Sequence, residues 1–129
     1  ALGTGNTGTV IAGNTVGLNL AGTAALANSS DGILLGPGAN TSTVGGTTTA
    51  ARNVVSGNAG NGVVVQSTGN TVLGNYVGLN AAGTAALANA GGQGVALNAA
   101  NNTVGGLTAA ARNVIAGHTL GVSVSTSGA

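Results

Sequence analysis

The sequence repeats itself over a long interval, and nothing else about it constrains the fold as strongly. The segment Asn14-Thr15-Val16-Gly17-Leu18-Asn19-Leu20-Ala21-Gly22-Thr23-Ala24-Ala25-Leu26-Ala27-Asn28 returns, little changed, 61 positions later as residues 75–89. Arg52-Asn53-Val54-Val55-Ser56-Gly57 returns as residues 112–117, 60 positions on, and Thr43-Val44-Gly45-Gly46 returns as residues 103–106. Self-similarity at a nearly fixed interval marks stacked supersecondary units, none of which can bury its apolar face alone.

A shorter period sits inside the long one. Gly32, Gly62, Gly94 and Gly121 recur about every thirty residues, and each opens a short strand-like triplet. The triplets are Ile33-Leu34-Leu35, Val63-Val64-Val65, Val95-Ala96-Leu97 and Val122-Ser123-Val124. Two more β-branched stretches lie between successive triplets, one beginning Thr-Val and one centred on Val16, Val55, Val77 and Ile115. Three short strands per coil predict an all-β fold, a right-handed parallel β-helix (β-solenoid) of about four coils with uncapped ends. It is expected to fill residues 1–129 as one domain on a two-coil repeat of about 60 residues, divided at 1–52, 53–112 and a partial 113–129. A β-sandwich would need hairpins, and Asn61-Gly62 is the single two-residue hairpin signal. No apolar 3.6-residue period supports a helical bundle, and residues 108–112 allow one helical turn at most.

Period-2 alternation assigns the two sides of each strand. On a first face Ile33, Leu35, Val63, Val65, Val95, Leu97, Val122 and Val124 are expected inside, with Leu34, Val64, Ala96 and Ser123 outside. On a second face Val10, Val44, Val72 and Val104 are expected inside and Thr9, Thr43, Thr71 and Thr103 outside. On a third, Val16, Val55, Val77 and Ile115 are expected inside, with Thr15, Val54, Tyr76 and Val114 outside. Parallel rungs lie about 4.8 Å apart, so like stacks on like. Asn14, Asn53, Asn75 and Asn113 are then predicted to repeat one amide hydrogen bond from rung to rung.

Composition narrows the core. Tyr76 is the one aromatic residue, Cys and Met are absent, and the charged side chains are Asp31, Arg52 and Arg112. The core must therefore be slender and built from short aliphatic chains. A formal net charge of +1 gives no electrostatic footprint for nucleic acid. No apolar run approaches the ~18 residues of a membrane span, and none is expected.

The segments ARNVVSGN (51–58), NTVLGNYVGLNAAGTAALAN (70–89) and NTVGG (102–106) resemble the repeats of bacterial surface and secreted proteins of the right-handed parallel β-helix class, the pectate-lyase-like solenoids. The likeness covers residues 9–124 or nearly so. It implies the fold and an extracellular or cell-surface location. It is weak for activity, because the class holds lyases, adhesins and repeats with no assigned activity. Such repeats commonly carry Asp where this chain has Asn80 and Asn19.

The residues themselves carry no catalytic constellation. Lyases of this class use clustered carboxylates to hold calcium, plus a basic residue to abstract a proton. Asp31 is the sole carboxylate side chain, so neither an acid pair nor a hard-cation cage can be assembled. His118 has no carboxylate or Cys partner in sequence and reads as a turn residue standing where the other copy has Asn58. Arg52 and Arg112 are two rungs apart, and each is expected to bond carbonyls of its own corner rather than join in gripping an anion. The Thr column suggests ice binding, but only one Thr per coil stays in register. No Gly-Lys-Ser/Thr phosphate loop is present. No catalytic residue, cofactor or metal site is predicted, and an enzyme is not expected.

Assembly is the function that these features favour. A solenoid buries its apolar column by stacking, and the sequence shows neither a polar cap nor a covering helix at its ends. Joined tail to head, GVSVSTSGA (121–129) and ALGTGNTGTVIAGN (1–14) approximate the internal GVVVQSTGNTVLGN (62–75). The expectation is a non-enzymatic structural subunit that stacks on copies of itself into an extracellular or cell-surface filament, through Thr9, Val10, Ile11, Val122 and Val124. Lateral contacts are expected at Leu34, Val64, Val54, Tyr76 and Val114. The alternative is a piece of a longer β-helical adhesin or polysaccharide-binding module, with a cell-surface glycan as partner. An ice-binding protein or a polysaccharide lyase ranks below both.

Overall fold

The computed structural model describes residues 1–125. Gly and Asn interrupt the apolar stretches every few residues, so strands are short and corners are many. Twelve strands are present among the described residues: β1 (Val10–Ile11), β2 (Thr15–Val16), β3 (Ile33–Leu35), β4 (Thr43–Gly45), β5 (Val54–Val55), β6 (Val63–Val65), β7 (Thr71–Leu73), β8 (Tyr76–Val77), β9 (Gln93–Leu97), β10 (Thr103–Val104), β11 (Val114–Ile115) and β12 (Leu120–Val124). They form three four-stranded sheets, β3-β6-β9-β12 on the first face, β1-β4-β7-β10 on the second and β2-β5-β8-β11 on the third. Every pairing between these strands is parallel. The chain visits the three sheets in turn and descends one rung per circuit, which makes a parallel β-solenoid of four coils.

The core is the column of inward side chains. Leu35, Val44, Val55, Val63, Val65, Val72, Val77 and Val95 are fully buried. Ile11, Val16, Val104 and Ile115 pack against the same cluster but stay partly exposed, because they belong to the first and last coils. Burying each such side chain contributes about 1.5–3 kcal/mol, and only stacked coils can do it.

Corners explain why the repeat is two coils long. Between the second and third faces the first and third coils turn within two or three residues, as at Gly74-Asn75. The second and fourth coils instead insert a 3₁₀ turn, Thr49–Ala51 or Ala109–Ala111. Between the third and first faces the lengths reverse, and the first and third coils carry the long corners. These fold back on themselves through the antiparallel bridges Leu18 to Ala25 and Leu79 to Ala86. The two long corners meet outside the second coil, where the Ala81 N–H donates to the Gly22 carbonyl at 2.9 Å.

Register departs from expectation at one strand. Val10 pairs with Thr43 and Ile11 with Val44, so Ile11 points inward and Val10 outward, 67% exposed. The outer column is Val10, Thr43, Thr71 and Thr103, and Thr9 lies one place earlier, at the corner. Alternation could not choose between two adjacent apolar residues. The turn chose: Ile11 precedes Asn14 by three residues, as Val72 precedes Asn75.

Candidate functional site

Each corner carries a ladder of side-chain amides, and the ladders define two chemically different ends. Between the second and third faces, the N–H and Nδ2 of Asn14 both donate to Asn53 Oδ1 at 3.0 Å. Asn53 donates likewise to Asn75 Oδ1 at 3.2 and 2.9 Å, and Asn75 to Asn113 Oδ1 at 3.0 Å twice. Each lower amide also reaches back to a carbonyl of the coil above: Asn53 to Ile11, Asn75 to Val44, Asn113 to Val72. The predicted rung-to-rung amide bond is present at all four positions. Asn53 and Asn75 are fully buried, and this network satisfies polar groups that would otherwise be costly to bury.

Two more ladders run the same way. Between the first and second faces the N–H of Thr9 donates to Ser42 Oγ at 3.3 Å, that of Ser42 to Asn70 Oδ1 and that of Asn70 to Asn102 Oδ1 at 2.8 Å each. Between the third and first faces Asn28 Nδ2 donates to Asn58 Oδ1 at 2.8 Å, and the Asn58 N–H and Nδ2 donate to Asn89 Oδ1 at 3.0 and 2.9 Å. His118 closes this third ladder. Its Nε2 lies 3.2 Å from the Asn89 nitrogen and 3.0 Å from Asn89 Nδ2. The backbone nitrogen can only donate, so Nε2 is unprotonated and the ring proton sits on Nδ1. Burial lowers the His118 pKa below 6.5, opposed in part by the backbone of Ala116. Nδ1 itself is buried and makes no bond of acceptable geometry among the described residues. The ladder also leaves no room for side chains beside it. At Gly17 (φ +85) and Gly78 (φ +78) a Cβ would run into the Ser56 and Asn58 oxygens or into the Ala116 carbonyl and the His118 ring. Only glycine combines that conformation with that clearance.

Because these three ladders pass hydrogen bonds from one coil's N–H or Nδ2 to the next coil's side chain, their ends are complementary. At the upper end Asn14 Oδ1, Asn28 Oδ1 and Thr9 Oγ1 accept nothing among the described residues, and at the lower end the N–H groups of Asn102, Asn113 and His118 donate to nothing there. Apolar groups are open as well. Val122 and Val124 are 45% and 67% exposed, whereas Val95 and Leu97 of the same column are 0% and 7% exposed. Of the residues expected at the axial joint, Thr9, Ile11, Val122 and Val124 stand on inner or ladder positions of the end coils. Val10 stands on the outer surface. The part of the expected joint at 126–129 lies outside the described residues.

The lateral set is less open than expected. Leu34, Val64, Val54, Tyr76 and Val114 all occupy outward register positions. Yet Val64 and Val54 are 4% and 7% exposed, and neither can serve as an accessible stripe. Tyr76 is closely flanked. The Arg52 guanidinium lies 4.1 Å from its ring centroid, and the long corner runs so close that a Cβ at Gly83 would stand 2.6 Å from the ring. Leu34 and Val114 are half-buried. Three large apolar side chains that stand in the open are instead Leu20, Leu26 and Leu107, on corners where the matching repeat positions carry Ala81, Leu87 and Thr47. No repeated pattern announces Leu20 or Leu107.

The arginines correct a second expectation. Neither guanidinium makes a hydrogen bond to a corner carbonyl among the described residues; Arg52 stacks on Tyr76 with its Nε buried and unpartnered, and Arg112 is exposed. A cation over an aromatic face is worth about 0.5–2 kcal/mol, and Tyr76 is available to Arg52 alone. Asp31 accepts from the N–H and Nδ2 of Asn61 at 2.8 and 3.2 Å, and the Gln93 N–H continues that column onto Asn61 Oδ1 at 3.2 Å. Among the described residues there is no cavity, no group of three His, Cys, Asp or Glu, and no helix long and apolar enough to cross a membrane. The chain matches no protein-family model, no curated protein and no solved structure.

Proposed function

We propose that this chain is a non-enzymatic structural subunit whose end coils pair with those of further copies, building a filament at a cell surface or outside the cell. One observation carries the reading: the acceptors open at the upper end match, ladder for ladder, the donors open at the lower end. Asn113 would donate to Asn14, His118 to Asn28 and Asn102 to Thr9 of the next copy. The inner column would continue from Val122 and Val124 onto Ile33 and Leu35. Such a contact is heterologous and does not close, so it propagates. The extracellular setting, and kinship with bacterial pectate-lyase-like solenoids, rest on the repeat resemblance.

The same complementarity suits a longer β-helical adhesin, in which the next coil belongs to the same polypeptide. Intact mass of the denatured protein separates the two. The test of stacking is Val122→Asp with Val124→Asp, which places charge in the column at the joint. Negative-stain fields of the double variant should lose fibres, while circular dichroism keeps the β signal of the inner coils. Fibres of ordinary length would rule the stacking reading out.

A further inference from the structure

The first face offers one column position at both ends of the chain. Leu2 makes a parallel bridge to Leu35; its N–H donates to the Leu34 carbonyl at 2.9 Å, and its carbonyl accepts the Gly36 N–H at 2.7 Å. The same bond recurs below, from Gln66 to Leu35, from Asn98 to Val65 and from Ser125 to Leu97. Leu35, Val65, Leu97 and Val124 are in continuous register. Leu2 therefore occupies, above Leu35, the place that Val124 of an in-register neighbour would take. The Gly36 N–H has one hydrogen to give and cannot bond both. Residues 2–4 also lie directly on the turn beneath them. A Cβ at Gly36 would stand 2.8 Å from the Leu2 carbonyl oxygen, and one at Gly38 would stand 2.8 Å from Thr4 Cα.

Resting on the stacking reading, we infer that residues 1–4 are a displaceable plug on the upper edge of β3, which β12 of a second copy evicts when it docks. The incoming strand takes over the Leu34 carbonyl and the Gly36 N–H. The exchange favours the newcomer. Leu2 brings one inward side chain, already half-buried, where β12 brings Val122 and Val124 on a strand of five residues. The plug covers part of an edge that would otherwise template unscheduled pairing, and it slows elongation without being part of the finished joint.

The experiment is seeded fibre growth of the full chain, followed by light scattering, comparing wild type, Leu2→Asp and the Val122→Asp, Val124→Asp double variant. Loosening the plug should speed growth roughly tenfold, the scale of one or two backbone hydrogen bonds given up in advance. Growth of the double variant at the wild-type rate would refute stacking itself. A silent double variant together with Leu2→Asp growing no faster than wild type would refute the plug alone and make residues 1–4 part of the joint. No growth from wild type or Leu2→Asp would sink both. A Leu2→Cys chain gives an independent measure: its thiol should react faster in fibres than in the free protein, and slower reaction in fibres overturns the inference.

Discussion

The ladder through Asn53 and Asn75 and the ladder through Asn58 and Asn89 are built from the same side chain, yet one ends on Asn113 and the other on His118. An amide carries its acceptor and its donors on one group. Each Asn can therefore receive from above, bond its own corner and pass a donor downward. An imidazole in the same place receives through Nε2 but has a single further N–H, and that one is buried without a well-placed partner. The amide ladder thus has no intrinsic end, whereas the histidine makes one corner of the last coil dependent on a proton.

The fold should suffer most if an amide in the first ladder loses its donors. Asn75→Asp keeps the shape but turns Nδ2 into an oxygen facing the carbonyls of Val44 and Leu73 and the Oδ1 of Asn113. That places a charge among acceptors at a fully buried site. The expected loss is about 3–5 kcal/mol, read from the urea midpoint. A loss under about 1 kcal/mol would show that the ladder decorates a fold held by its apolar column alone.

The second ladder should differ from the first in its response to pH. The His118 pKa in the folded chain lies below its unfolded value of 6.5, chiefly because the ring is desolvated. Above that value both states are neutral and nothing is lost. As pH falls through 6.5 and then through the folded pKa, the unfolded chain takes up the proton first and stability declines. A proton on Nε2 would also point at two donors of Asn89. The ring is only half-buried, so water screens the effect and it should be smaller than that of Asn75→Asp. His118→Asn restores the amide and should flatten the stability profile between neutral and mildly acidic pH. An unchanged slope in that variant would mean that another group titrates.

Much of this was written in the sequence. The thirty-residue recurrence fixed the coil, and alternation within β3, β6 and β9 assigned inner and outer residues correctly. The Asn corner positions predicted their own hydrogen bonds. Val10 falls inside when Thr-Val is aligned with Thr-Val across coils, whereas the 61-residue offset through Asn14 and Asn75 places Ile11 opposite Val72. His118 was placed correctly as the counterpart of Asn58, but its acceptor role depends on a bond across 29 residues to Asn89. The cover over Tyr76 was illegible for a related reason. It comes from corners and from Arg52, whose positions follow from stacking and not from any local period.

A third kind of asparagine sits on the long corners. Asn80 Oδ1 accepts from the N–H groups of Thr84 and Ala85 at 2.8 and 3.2 Å, and its Nδ2 reaches Thr84 Oγ1 at 3.1 Å. Asn19 repeats this arrangement with Thr23 and Ala24. Here the amide gives its one side-chain donor bond to a hydroxyl, which can rotate and donate in return, and no carbonyl faces it. A carboxylate would lose nothing and would accept the two backbone N–H groups in charge-assisted form. Asn80→Asp should therefore change stability by no more than about 0.5 kcal/mol, in either direction, as expected for an exposed corner. The same substitution thus separates two roles of one residue type, severe at Asn75 and nearly silent at Asn80. A loss at Asn80 approaching that at Asn75 would show that its Nδ2 is required after all, and that the long corner is held as tightly as the ladder.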